Sequence, residues 1–174
     1  NFVEHQIPVL GIDPAEGPAQ AAEKIGVPTM NTFFSEDLAR HLVAKGTRAD
    51  IIIANNVLAH VADVHGFIRG IAQLLKETGT AVIEVPYVRD LIDHFEFDTI
   101  YHEHLCYFSV TAIDHLFRRH GLYLNHVKRI AIHGGSLRLF INRFEEVSDS
   151  VTDLLREERE LGVDSYEYYQ EFSR

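Results

Sequence analysis

Tyr101-His102-Glu103-His104 is the densest run of titratable side chains in the sequence. An imidazole can take up a proton near neutral pH, and a neighbouring carboxylate can orient or tune it. On an extended segment alternate residues point the same way. Such a segment would put Tyr101 and Glu103 on one face and His102 and His104 on the other. Three readings are open from local pattern. The run is a surface loop, a zinc site in which His102 and His104 need a distant third ligand, or an acid–base centre with one histidine as the base. His60 stands well upstream, and a lone histidine of this kind is more often structural than catalytic.

Other polar residues are placed by the strands they follow. Asp13 ends a short apolar run and precedes Pro14. Asn55 and Asn56 follow the run Ile51–Ile53. Ligands of open parallel sheets bind at strand carboxyl ends, where an acid can accept from ribose hydroxyls and amides can hold a polar ligand. The plainer reading of all three is turn chemistry, which Asp and Asn favour. His133-Gly134-Gly135-Ser136-Leu137-Arg138 offers bare backbone, a hydroxyl and a guanidinium. Glycine lets an anion approach the backbone and Arg binds phosphate in a fork, although a hairpin turn explains the same residues. Cys106 among aromatics reads as a buried thiol. The ridge from Leu154 to Glu160 reads as a solvated helix face.

These residues need elements to hold them. Ile7–Ile12, Pro28–Thr32, Ala49–Ala54 and Thr80–Val85 read as strands, with Ala49–Ala54 apolar enough for burial on both faces. Helices are expected over Pro18–Ile25, after Ser35, and after Asp63 with the stripe Phe67, Ile68, Ile71, Leu74 and Leu75. Strand–helix alternation of this length predicts a mostly parallel sheet with helices on both faces. Val88–Phe95 reads as a short helix, and Ser109 caps another that ends at Gly121. His126–Ile132 and Leu137–Asn142 form a hairpin around the Gly-Gly pair, expected antiparallel at one edge of the sheet. A charged helix begins at Asp149.

The chain has 174 residues, with 16 Lys+Arg against 26 Asp+Glu and a net charge of −10. That balance argues against a nucleic-acid partner, which needs clustered basic residues. No apolar run approaches the roughly 20 residues of a membrane span, so no membrane partner is expected. A single cysteine excludes a disulfide framework and a Cys-rich metal site within these residues. A cytoplasmic location is the default expectation.

Taken together, VLGIDP, GVPT followed by FF, ANNVLAHV, FDTIYHEHLCYFS and HGGSLR resemble the sugar-nucleotide C-methyltransferases. The resemblance runs from about Val9 to Asn142, and its specificity lies in the order of the segments. It implies an α/β, Rossmann-like class I methyltransferase sheet, S-adenosylmethionine as cofactor and a nucleotide-linked deoxysugar as substrate. It also implies a middle fragment. Residues 1–145 would be the methyltransferase domain without its first strand and glycine-rich loop, and 146–174 the start of a C-terminal helical region. Zinc would belong to a Cys-rich N-terminal region outside these residues, with no metal site in this chain.

Carried over by the resemblance, Asp13 takes the adenosine ribose, and Asn55 and Asn56 flank the sulfonium end. His60, Tyr101, Glu103 and His104 line the reaction centre, with His104 the expected base. His133, Ser136 and Arg138 lie toward the nucleotide sugar. The chemistry suits these types. A carbon beside a ketone loses its proton only if a base takes it while a donor stabilises the enolate oxygen. The sulfonium already activates the methyl, so that route calls for no metal.

Overall fold

The computed structural model describes residues 2–172. Six strands and seven α-helices follow in the order β1 (Gly11–Ile12), α1 (Glu16–Lys24), β2 (Thr29–Met30), α2 (Glu36–Ala44), β3 (Ala49–Asn55), α3 (Val64–Leu74), β4 (Leu75–Pro86), α4 (Val88–Asp93), α5 (Val110–Arg118), β5 (Tyr123–Ile130), β6 (Ser136–Asn142), α6 (Asp149–Leu161) and α7 (Tyr166–Phe172). The expected α/β alternation is present. Side-chain caps start α2, α3 and α5: Ser35 accepts from the Leu38 N–H, Asp63 from Gly66 and Ser109 from Ala112.

The strands fall into two sheets. β1 pairs with β2 in parallel, and the larger sheet runs β3-β4-β6-β5. β3 and β4 are parallel, while β6 lies antiparallel to both β4 and β5. The hairpin therefore sits at one edge, as its glycines foretold, and its second strand is the inner one. β1 and β3 were expected in one sheet. Each instead has a partner on one side alone, β2 and β4 respectively. Ile12, Met30 and Ile52 still share a small apolar cluster around Ala39, Leu42 and Leu74.

The main core lies between β4, β6 and β5 and the helices α3, α5 and α6. Ile68, Ile71, Ile83, Ile113, Leu124 and Leu139 are fully buried in it. Two boundary expectations change. Leu75 and Lys76 leave the helix and open β4, because Leu75 pairs with Ala49 and the register then slips before Ile51 meets Thr80. Gly79 sits in that slip, where a Cβ would come within 3.0 Å of the Ala49 and Asp50 carbonyl oxygens. Nor is β3 buried on both faces. Ala54 is buried and Ile52 partly so, but Ile51 and Ile53 are 58% and 50% exposed, since no described element packs on their side.

Candidate active site

The segment from His94 to Ser109 crosses from the end of α4 to the start of α5. Its centre is a tight turn rather than an extended strand: the His104 N–H donates to the Tyr101 carbonyl at 3.1 Å. The expected facing therefore changes. A turn brings its first and fourth residues together, so Tyr101 and His104 stand edge to face with ring centroids 5.2 Å apart. His102 and the Glu103 side chain are left exposed at the corner.

His60 joins this pair from a different part of the chain. After β3, residues 58–60 make one 3-10 turn. The Ala59 carbonyl in it accepts from the Leu105 and Cys106 N–H groups at 2.8 and 3.3 Å. That docking sets the His60 ring 4.7 Å from the His104 ring, with His60 Nδ1 3.1 Å from the Glu103 carbonyl oxygen. Tyr107 closes the group, its ring 5.6 Å from His104 and its hydroxyl accepting from the Tyr101 N–H and donating to the Thr99 carbonyl. Sequence reading passed over Tyr107, and its position on the same aromatic run was the available signal.

His104 is the chemically distinctive member. Its Nδ1 is buried and has no hydrogen-bond partner, alone in this among the buried side-chain nitrogens and oxygens of the described residues. Burial holds its pKa below the usual histidine value, the neighbouring His60 pushes it the same way, and Glu103 opposes them in part. The imidazole is thus neutral at neutral pH, with a nitrogen free to accept a proton.

Asp13 follows β1, Asn55 is the last paired residue of β3, opposite Glu84, and Asn56 follows it. Asp13 Oδ1 accepts from the Ala15 N–H at 2.8 Å, and the Asp13 carbonyl accepts from the Asn31 amide at 3.0 Å. The turn role considered for Asp13 is therefore real for one carboxylate oxygen. Asn55 is exposed, and Asn56 takes a left-handed φ of 54° with its N–H donating to the Glu84 carbonyl.

The hairpin motif is occupied by the chain's own groups. A Cβ on Gly134 would lie 1.9 Å from Glu96 Oε2, and one on Gly135 2.2 Å from Asp90 Oδ2. The anions that reach this glycine backbone are internal carboxylates. Ser136 is fully buried and donates to the Ile132 carbonyl at 3.2 Å. Arg138 Nε donates to Glu84 Oε1 at 2.6 Å. Glu84 is itself buried between Asn55 and Arg138 on the neighbouring strands. A lone acid in the apolar strand TAVIEV was the sequence signal for it. His133 stands exposed at the tip with φ 50°. Among the described residues no three His, Cys, Asp or Glu side chains are grouped to hold a metal ion. Among the described residues no helix is long and apolar enough to cross a membrane.

Residues 1–127 match the methyltransferase domain family. The chain belongs to that family. Residues 131–174 of this methyltransferase-domain chain match a second family, the C-methyltransferase C-terminal domain. It is 34% identical over 95% of its length to the C-methyltransferase NovU of Streptomyces niveus, and spans 40% of that relative. Among solved structures it is similar to a possible histamine N-methyltransferase from Thermotoga maritima, with TM-score 0.61 and 17% identity over 82% of this chain and 76% of that one. It is also similar to a 1,6-didemethyltoxoflavin-N1-methyltransferase from Burkholderia thailandensis, with TM-score 0.58 and 18% identity over 83% of this chain and 64% of that one. These likenesses place the fold among S-adenosylmethionine-dependent methyltransferases with a Rossmann-like sheet.

Proposed function

We propose that the chain is the central part of an enzyme that moves a methyl group from S-adenosylmethionine to a carbon beside the ketone of a nucleotide-linked deoxysugar. The observation that carries this reading is His104, a neutral imidazole with a buried, unpartnered Nδ1 in a cage of His60, Tyr101 and Tyr107. Carbon methylation needs a base of this kind, whereas methylation of an amine needs little more than orientation. The relation to a C-methyltransferase and the ordered sequence segments point the same way.

The residues present suit the cofactor by the chemistry of their donors. Asp13 offers a carboxylate oxygen to a ribose diol, and Asn55 and Asn56 offer amides at the end of β3. Bound S-adenosylmethionine supplies a methyl on positively charged sulfur. His104 takes the proton from the substrate carbon. The Tyr101 hydroxyl donates to the developing enolate oxygen, and Glu103 orients the turn through its carbonyl bond to His60. His60 relays a proton or contacts the sugar. His133 meets the nucleotide side, with Ser136 and Arg138 shaping the strand beneath it.

The complete protein, supplied with methyl-labelled S-adenosylmethionine and a nucleotide-linked ketosugar, forms a new carbon–carbon bond at the position beside the ketone. Carbon NMR of the product reads this. Label on oxygen or nitrogen, or no transfer to any such ketosugar, overturns the reading.

A further inference from the structure

The ridge of α6, expected to be solvated, buries Leu154 and, among its charged residues, Glu158. Glu158 is 1% exposed, although Glu157 and Arg159 flank it in sequence. Its carboxylate accepts four hydrogen bonds. Oε1 takes the Tyr87 hydroxyl at 2.9 Å and the Val110 N–H at 2.7 Å, and Oε2 takes the Thr111 N–H at 2.8 Å and the Thr111 hydroxyl at 2.6 Å. A buried carboxylate is tolerated only with such a complete set of donors.

The positions of those donors matter more than their number. Tyr87 directly follows β4, between that strand and α4, and Val110 and Thr111 begin α5. Between them lies the excursion that carries Tyr101 and His104. Its two ends already touch, since Val88 donates its N–H to the Phe108 carbonyl at 3.0 Å. Glu158 bonds both ends at once, from a helix remote in sequence. The neighbouring ties run the same way: Arg89 donates to Glu157 at 2.7 Å, the Tyr168 hydroxyl to Asp93 at 2.9 Å, and Phe172 stacks on Phe97 with centroids 4.3 Å apart.

We infer that Glu158 is a positioning residue, a clasp at the neck of the 88–109 excursion through which the C-terminal helices hold His104 in its cage. The inference rests on the proposed role of His104. The carboxylate touches no reacting atom. It fixes the distance between the strand end and the helix start, and so the span over which the turn at Tyr101–His104 is stretched. Loosening the neck lets water reach the imidazole.

Tyr87→Phe keeps the ring, which Arg129 overlies at 5.3 Å, and removes one donor. Glu158→Gln keeps the shape and turns a carboxylate oxygen into a donor facing donors. Ile141→Val, in the core of β6, serves as a variant of lowered stability that leaves the neck alone. In the complete protein, amide exchange over 94–108 quickens about 10–100-fold in Tyr87→Phe and Glu158→Gln, the range for losing a bond to a buried charge, while α3 keeps its protection. NMR titration shows the His104 pKa rising toward the ordinary histidine value. Turnover falls and the KM for S-adenosylmethionine does not. Ile141→Val shows none of this. Unchanged exchange and an unchanged His104 titration in both neck variants overturn the clasp. A loosened excursion and a shifted His104 with normal turnover uphold the clasp and instead overturn His104 as the base.

Discussion

At the scale of single residues, His104 and His60 show how two imidazoles in contact acquire different work. His60 is exposed and spends Nδ1 on the Glu103 carbonyl. His104 has a buried nitrogen with nothing to spend it on. Replacing it tests the assignment directly. His104→Ala in the complete protein lowers kcat by about 10²–10⁴-fold, the usual worth of a general base, with S-adenosylmethionine affinity nearly unchanged. Solvent deuterium exchange at the substrate carbon stops with it; persistence of that exchange at full rate transfers the role to His60. His102→Ala, at the exposed corner of the turn, has a much smaller effect. The pH profile provides an independent check. Burial and His60 depress the His104 pKa in the free protein, so kcat/KM rises with pH along a limb whose midpoint lies below the ordinary histidine value of 6.5. A midpoint above that value contradicts the burial described.

At the scale of elements, the hairpin between β5 and β6 explains its two glycines without any ligand. Gly135 has φ 123°, which L side chains rarely adopt, and a Cβ there would strike Asp90, which is buried and paired with Arg129. Gly135→Ala therefore lowers stability by about 1–3 kcal/mol, the cost of a strained backbone conformation, before any displacement of Asp90 is counted. Gly17, on the surface of α1 with nothing within 4 Å of its Cβ position, is the matched control. Gly17→Ala is neutral or slightly stabilising, by up to about 1 kcal/mol. Urea midpoints of the two variants decide the matter, and equal midpoints would show that the turn is not constrained as described.

At the scale of the whole molecule, two partly buried histidines tie stability to pH. His104 and His120 are both held below the ordinary histidine value; for His120 the causes are burial first, then His65, Arg69 and Arg119. His120 Nε2 lies 2.9 Å from His65 Nδ1, a spacing that fits one shared proton and not two charged rings. The sign follows from linkage. The unfolded chain accepts protons at these sites near pH 6.5, while the folded chain resists them until lower pH. Stability is therefore full above the ordinary histidine value and declines as pH falls through it toward the depressed folded values. Urea midpoints at about pH 7.5 and pH 5.5 differ in that direction, and His120→Gln narrows the gap. A chain equally stable at both values would refute the linkage.

What could be read without coordinates was what local physics decides. Caps at Ser35, Asp63 and Ser109, the stripe Phe67–Leu74 and the Gly-Gly hairpin each depend on neighbours within a few residues, so α2, α3, α5 and the β5–β6 pair followed from pattern. Periodicity counts apolar positions but cannot say whether anything covers them, which is why Ile51 and Ile53 read as buried and stand exposed. The composition of Tyr101–His104 announced chemistry, yet only the turn decided that Tyr101 faces His104, and only the docking of Ala59 against Leu105 brought His60 to them across more than forty residues of sequence. Glu158 marks the limit most clearly. Its neighbours are charged and its spacing is that of a surface helix, so nothing local distinguishes it. Burial was conferred by the donors of Tyr87, Val110 and Thr111, which tertiary packing alone gathers around one carboxylate.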